Sequence, residues 1–444
     1  MRSTAIVAGM AAICLGAVVG LKAASPQEQP QPASTPTFSR DVASILFKNC
    51  THCHRPGEVA PMSLLTYKDA RPWAKAIHAA VLTGVMPPWH ADPAHGEFAN
   101  DRRLSEADKN TIAAWVSAGA PEGNPADVPS PPKYIDGWQI GEPDIVFEMT
   151  EDYAVPAKGV VEYEWMYIPT NFATPTYVQA LEIRPGNRKL VHHVLAYYRA
   201  KPDAQRVPVL LFDTERQRPP VPSASGLRPR RTDPTPARLI ATYAPGTLPQ
   251  VFPLGTALRL EAGGVLELQM HYSTNGTAGT DRTKVGMILS KDPAPAEVLA
   301  NHFFNAKLRL PAHATDVRVD ADVAFRQDAT LWGLFPHTHL RGTKWEYRLV
   351  LPDGTERMIL SVPRYDFNWQ TYYMFREPLR VPKGSRIVSS AWYDNSARNR
   401  SNPDPNVDVS WGDQTWEEMQ YTGLLYSAGA PARVAVEAGR TAGN

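Results

Sequence analysis

Cysteine is almost missing from this chain: there are three among 444 residues, Cys14, Cys50 and Cys53. So few cysteines in a chain of this length give no disulfide framework, and stability has to come from packing. An excess of charge of one sign is missing too. With 46 basic and 45 acidic residues and a formal net charge of +1, no bulk electrostatic pull exists for a polyanion, which excludes nucleic acid as a partner. Long helical periods are few. The 42 prolines, spread along the whole length, suit a loop-rich, β-rich protein, and the length allows two or three domains with cores of their own.

The N-terminus has Met1-Arg2, an apolar run from Ala5 to Leu21, and then Ala23-Ala24-Ser25. A basic start, an apolar middle and small residues at a cut predict a signal peptide over 1–25, followed by a Pro/Gln-rich linker over 26–37. The location this implies is the periplasm of a Gram-negative-type bacterium. The competing reading is an uncleaved anchor, and only that reading brings a membrane contact. Cys14 lies inside the signal, behind Ile13 where a lipid site wants a small residue. The mature chain keeps Cys50 and Cys53.

Those two stand in Cys50-Thr51-His52-Cys53-His54, the attachment pattern of a c-type haem, in which both thiols bond to the porphyrin and the next imidazole becomes an axial ligand. A thioredoxin-like pair or half a zinc site is the alternative, but no second cysteine pair exists and the surroundings are not βαβ. The flanks predict short helices. Val42, Ile45 and Leu46 make an apolar stripe leading into the motif, Trp73, Ile77 and Val81 make another that Gly84 ends, and Ser105 with Asp108 opens a third that buries Ile112, Trp115 and Val116. For the sixth iron ligand, Met86 before Pro87-Pro88 is the choice, with Met62 and His90 as competitors. Residues 38–122 resemble class I cytochrome c domains, which implies a small all-α domain with one covalently bound haem c. A Pro/Gly-rich linker follows over 123–140.

Beyond it the pattern is short strands separated by turn residues, which predicts all-β sandwiches over 141–300 and 301–431 and a tail over 432–444. Lys189 to Tyr198 is one strand and contains His192-His193. Neighbours on a regular strand face opposite ways, so both reach one ion only if the strand is distorted. The strand Val265–Tyr272 alternates, with Leu266, Leu268, Met270 and Tyr272 on one face and His271 on the other. In Phe335-Pro336-His337-Thr338-His339-Leu340 the two histidines share one face, a spacing that suits one metal ion. Met419, on the opposite face from Trp416, Glu418 and Gln420, offers a thioether. Thioether with neutral imidazole favours copper, where zinc more often recruits thiolate or carboxylate.

Leu190–Val194, Leu268–Tyr272, Pro336–Leu340 and Glu417–Met419 occur in the order seen in the type II copper monooxygenases, and over residues 140 to 430 the chain resembles a bacterial relative of dopamine β-monooxygenase and peptidylglycine α-hydroxylating monooxygenase. The resemblance implies two jelly-roll-like sandwiches with two copper ions in separate single-copper sites. His192, His193 and His271 would hold the electron-transfer copper. His337, His339 and Met419 would hold the catalytic copper that binds oxygen. It implies an oxidoreductase that uses O2 on a small-molecule substrate. Its electrons would come from a periplasmic protein or an ascorbate-like reductant and be relayed by the haem at Cys50, Cys53 and His54. In the peptidylglycine enzyme an arginine and a tyrosine anchor the substrate, and Phe335 and Gly423 stand in their places, so a peptide ending in glycine is not expected. The alternative is a non-catalytic haem and copper protein. Arg341 is expected to be solvated or to reach an anion in the cleft. The Arg/Pro-rich stretch 199–240, Arg238 included, is expected to be a surface loop, and His302 and His313 structural.

Overall fold

The computed structural model describes residues 35–135, 137–201, 237–253, 255–292 and 295–429. The expected signal peptide, most of the linker after it, the bulk of the 199–240 stretch and the tail lie outside the described residues. Most of the regular structure in the described chain is β, arranged as sandwiches, with a few helices near the N-terminus.

The central feature is a nine-stranded sheet that runs through both sandwiches. Its two halves join where strand Thr256–Leu260 pairs in parallel with strand Ala296–Phe304. The second half therefore begins at Ala296, slightly before the expected boundary at 301. A four-stranded sheet containing Glu164–Pro169, Val265–Tyr272, Val191–Arg199 and Arg238–Tyr243 packs on the first half, and another containing Val317–Ala324, Arg386–Tyr393, Gly342–Val350 and Glu356–Val362 packs on the second.

Strands Ala296–Phe304, Tyr421–Ala428 and Ala329–His337 lie side by side and serve both cores. Leu331, Leu334, Leu424 and Tyr426 point into the second core, whereas Trp332, Phe335, Tyr421 and Leu425 face the first. Successive side chains on a strand alternate faces, so a strand covered on both sides reads as a continuous apolar run. Every residue of Ala329–His337 is buried.

Helices occupy Phe38–Val42, Ala43–Asn49, Tyr67–Ala70, Ala74–Leu82 and Glu106–Ser117. They gather Phe38, Leu46, Ile77, Val81, Ile112 and Trp115 into a small core. The cap at Ser105 forms as expected, its side chain accepting the Asp108 N–H at 3.1 Å. Trp73 differs, being 43% exposed. Among the described residues no helix is long and apolar enough to cross a membrane.

The helical segment is tied to both sandwiches. Glu58, just after the Cys-X-X-Cys-His turn, pairs with Arg188 at the foot of the His192 strand. Trp89, Ala91 and Phe98 sit in the second sandwich's core, and the Asp92 and Ala99 N–H groups donate to the Ser361 and Met374 carbonyls at 2.8 Å each. The segment 123–140, expected as a linker, is pinned as well: Tyr134 bonds Thr51, and the Gln139 and Ile140 N–H groups donate to Glu182.

Candidate metal centre

His192 and His193 do reach one place. Opposite strand Val265–Tyr272, Val191 pairs with Tyr272 and His193 pairs with His271, leaving His192 without a partner in a β-bulge. A bulge puts an extra residue into one strand and turns its side chain. The adjacent histidines thus share a side with His271. The ligating atoms of the three imidazoles lie within 4.8 Å of one another. His193 Nδ1 is 3.1 Å from His192 Nδ1 and 3.3 Å from His271 Nδ1. Burial and the neighbouring imidazoles hold the pKa values of His193 and His271 well below the ordinary range, so both rings are neutral and carry ligand lone pairs.

The second set forms at the end of strand Ala329–His337. His337 and His339 stand ring to ring with centroids 5.2 Å apart, and both line one cavity with Met419. His337 Nδ1 is 2.6 Å from Gln370 Oε1, and His339 Nδ1 is 3.0 Å from the Glu417 carbonyl. Both contacts are made by Nδ1, the Gln414 main chain also bonds the His339 ring, and such hydrogen bonds are what orient a metal-ligating imidazole. Burial pushes His337 down to about 4 and His339 to about 3.

Glu418 secures this corner. It is fully buried and accepts the N–H groups of His339 at 2.8 Å, Arg341 at 2.7 Å and Met419 at 3.1 Å. Arg341 departs from both expectations: it is 1% exposed, and its guanidinium donates to Asn395 Oδ1 at 2.8 Å and to the Trp416 carbonyl at 3.0 Å. A buried cation so committed holds the chain around Met419 and does not reach an anion in the cleft. Arg238 belongs to a strand, not to a loop.

One aromatic layer separates the two sets. Phe367 stacks on His192 at 5.3 Å and lies 6.1 Å from His339. Tyr163 lies 4.8 Å from His271 and 6.4 Å from His339. Neither ring carries a sequence signal, since each sits in an aperiodic loop. His302, expected to be structural, lines the cavity with His337, His339 and Met419, whereas His313 is exposed.

At the Cys-X-X-Cys-His turn the Cys53 and His54 N–H groups both donate to the Cys50 carbonyl, at 3.1 and 2.9 Å, so two free thiols and an imidazole leave a single turn. Burial lifts the Cys50 thiol to about 12. A Cβ added at Gly246, beside strand Arg238–Tyr243, would lie 3.2 Å from Cys53 Sγ. The turn therefore rests against the chain just after the strand that neighbours the His192 strand. Met86 is half-buried on the segment after helix Ala74–Leu82. Of its competitors, Met62 has its main chain beside His54, and His90 has both ring nitrogens buried without partners.

No sequence profile of a known family and no curated protein matches the chain. Among solved structures it is similar to the major capsid protein P2 from bacteriophage PM2, with 10% identity over 65% of this chain and 100% of that one and a TM-score of 0.27. It is also similar to the VP2 subviral particle of infectious bursal disease virus, with 10% identity over 65% and 73% of the two chains and a TM-score of 0.19.

Proposed function

We propose that the chain is an exported, periplasmic monooxygenase of the type II copper family, with a c-type haem carried by a cytochrome c domain at 38–122. The observation that carries this reading is the pair of donor sets, different in chemistry, that face each other across the Phe367 and Tyr163 rings. The set His192, His193 and His271 fits a single copper through Nδ1 atoms. The set His337, His339 and Met419 fits a second through two imidazoles and a thioether, a softer combination. The turn carrying Cys50, Cys53 and His54 fits covalent haem c, with Met86 as the proposed second axial ligand.

When bound, the copper ions would supply O2 activation and one-electron chemistry, and the haem would supply electrons singly from a periplasmic protein or an ascorbate-like donor. Hydroxylation of a C–H bond consumes O2, two electrons and two protons and releases water. The chain's own residues hold and orient. Gln370 and the Glu417 carbonyl fix the His337 and His339 rings, Glu418 and Arg341 brace the backbone on either side of Met419, and a mostly aromatic wall lines the cavity next to them. Contact of the Cys53 turn with the first sandwich supports a haem that serves the His192, His193 and His271 site.

Metal analysis of the purified full chain, supplied with copper, tests this. Two coppers per haem are expected, falling by one in Met419→Ala and in His271→Ala while the haem spectrum is unchanged. Zinc in place of copper, or copper content insensitive to both substitutions, would sink the reading. Copper at full occupancy with substrate-independent oxygen consumption would favour the non-catalytic alternative.

A further inference from the structure

Asp101-Arg102-Arg103 offers one acid to two arginines. The chain is anchored on either side of them. Asn100 clamps it to the second sandwich, its Nδ2 donating to the Tyr372 carbonyl at 2.7 Å and its Oδ1 accepting the Met374 N–H at 3.1 Å. Leu104 is buried in the helical core. Asp101 takes Arg103, accepting from its Nε at 2.8 Å. Arg102 is half-buried, and among the described residues it has neither a carboxylate nor a hydrogen-bond partner.

Arg102 ends at a turn. Ala244-Pro245-Gly246-Thr247 follows strand Arg238–Tyr243, and the Thr247 N–H donates to the Ala244 carbonyl at 2.9 Å. Proline second and a glycine with a φ of 80° third are what a type II turn requires. Because Gly246 has no Cβ, three side chains close on it. The place a Cβ would take lies 3.2 Å from Cys53 Sγ, 3.3 Å from Arg102 Nη1 and 4.0 Å from Trp369 Cζ3. Guanidinium and thiol thus meet at one point. The other charges beside His52 are Arg55, Arg188 and Glu58, and both of those arginines pair with Glu58. Arg102 alone among these cations lacks an acid.

Once bonded to a porphyrin, Cys53 Sγ belongs to the edge of the haem. Ferric haem carries one more positive charge than ferrous, so a fixed cation at that edge favours the reduced form. Two unit charges about 10 Å apart at an effective dielectric of ~20 shift such an equilibrium about tenfold, and less where solvent screens them.

We propose that Arg102 sets the reduction potential of the haem, raising it through its charge at the Cys53 edge. The half-reaction is one electron passed from the donor to ferric iron to give ferrous iron, with no bond made or broken. Arg102 touches no reacting atom and acts through the field alone. The inference rests on the haem part of the reading above and not on its copper part.

Spectroelectrochemical titration of the haem in the purified full chain tests it. Arg102→Gln should lower the ratio of reduced to oxidised haem about fivefold at a fixed applied potential, a fall of ~40 mV for one electron. Arg102→Lys, which keeps the charge, should recover most of that shift. Arg103→Gln, which removes an exposed cation already paired with Asp101, should leave the potential nearly unchanged. Equal falls in Arg102→Gln and Arg102→Lys would show that packing and not charge is at work, and would overturn the proposal. No fall in Arg102→Gln, or the same fall in Arg103→Gln, would also overturn it. A potential unmoved in a chain with full covalent haem removes this inference alone; a parent chain that takes up no covalent haem removes the haem reading and this inference with it. The expected shift in a chain that binds no copper would keep the inference and remove the monooxygenase reading.

Discussion

Three main-chain N–H groups converge on the Glu418 carboxylate, and they belong to both sides of the second donor set, His339 and Arg341 on one and Met419 on the other. Burial pushes the carboxyl up to about 7 against those donors. Glu418→Ala would strand three buried N–H groups at about 1–3 kcal/mol each. A stability loss of about 3 kcal/mol or more is expected in urea unfolding, with copper content falling by one, whereas Glu418→Gln keeps an acceptor and should lose less of both. In the sequence Glu418 looks like a solvated acid beside a methionine, since nothing local says that a second strand end will cover it. His302 allows a pH test. Its folded value near 4 lies below the ordinary 6.5, so between these values the unfolded chain binds a proton that the folded chain refuses. Its contribution is flat above that window, and stability falls as pH drops through it. Between about pH 7 and about pH 5, His302→Phe should lose up to about 2 kcal/mol less than the parent chain; equal losses in denaturant midpoints would show that the imidazole is not held neutral.

The segment from Arg364 to Gln370, between strands Glu356–Val362 and Tyr373–Val381, acts as an element although it has no regular structure. Arg364 donates to the Thr83 and Gly84 carbonyls of the helical segment at 2.8 Å each. Phe367 stacks on His192, Asn368 Oδ1 is 3.2 Å from His192 Nε2, and Gln370 Oε1 is 2.6 Å from His337 Nδ1. Hydrogen-bond partners of metal-ligating imidazoles are worth roughly 10–100-fold in metal affinity. Under the copper reading proposed above, Gln370→Leu should therefore weaken metal at the His337 set by that factor and spare the three-histidine set, and Asn368→Leu should do the opposite. Chelator-competition titrations separate the two, and a loss at both sites in either variant would mean that the segment simply collapses. The histidines were legible because alternation and spacing mark them on strands. The bulge at His192 was not, because register depends on the partner strand, and an aperiodic loop such as 364–370 carries no pattern that says which strand end it crosses.

The mostly β character and the helical start follow from proline content, strand-length alternation and the Ser105 cap, all local signals. What local signals missed is that the halves share one sheet and that the helical segment is built into them. Trp89 and Phe98 stand among prolines and glycines with no period, so the sequence does not say which core they fill. They pack on Tyr373 at 4.9 and 5.5 Å, inside the second sandwich. An independent N-terminal domain and an integrated one make opposite predictions. Large-to-small changes at buried aromatic residues cost about 3–5 kcal/mol. For an integrated segment, Trp89→Ala and Phe98→Ala should lower the thermal transition of the β-sandwiches themselves, read from near-ultraviolet circular dichroism, and the pair should cost more than either alone. A sandwich transition unmoved by both, with only the helical signal melting early, would mean that the segment merely rests on the surface. Because the same segment carries the Cys50–His54 turn at one end and these anchors at the other, its loosening should, under the haem relay proposed above, also slow delivery of electrons from a protein donor before it alters copper content.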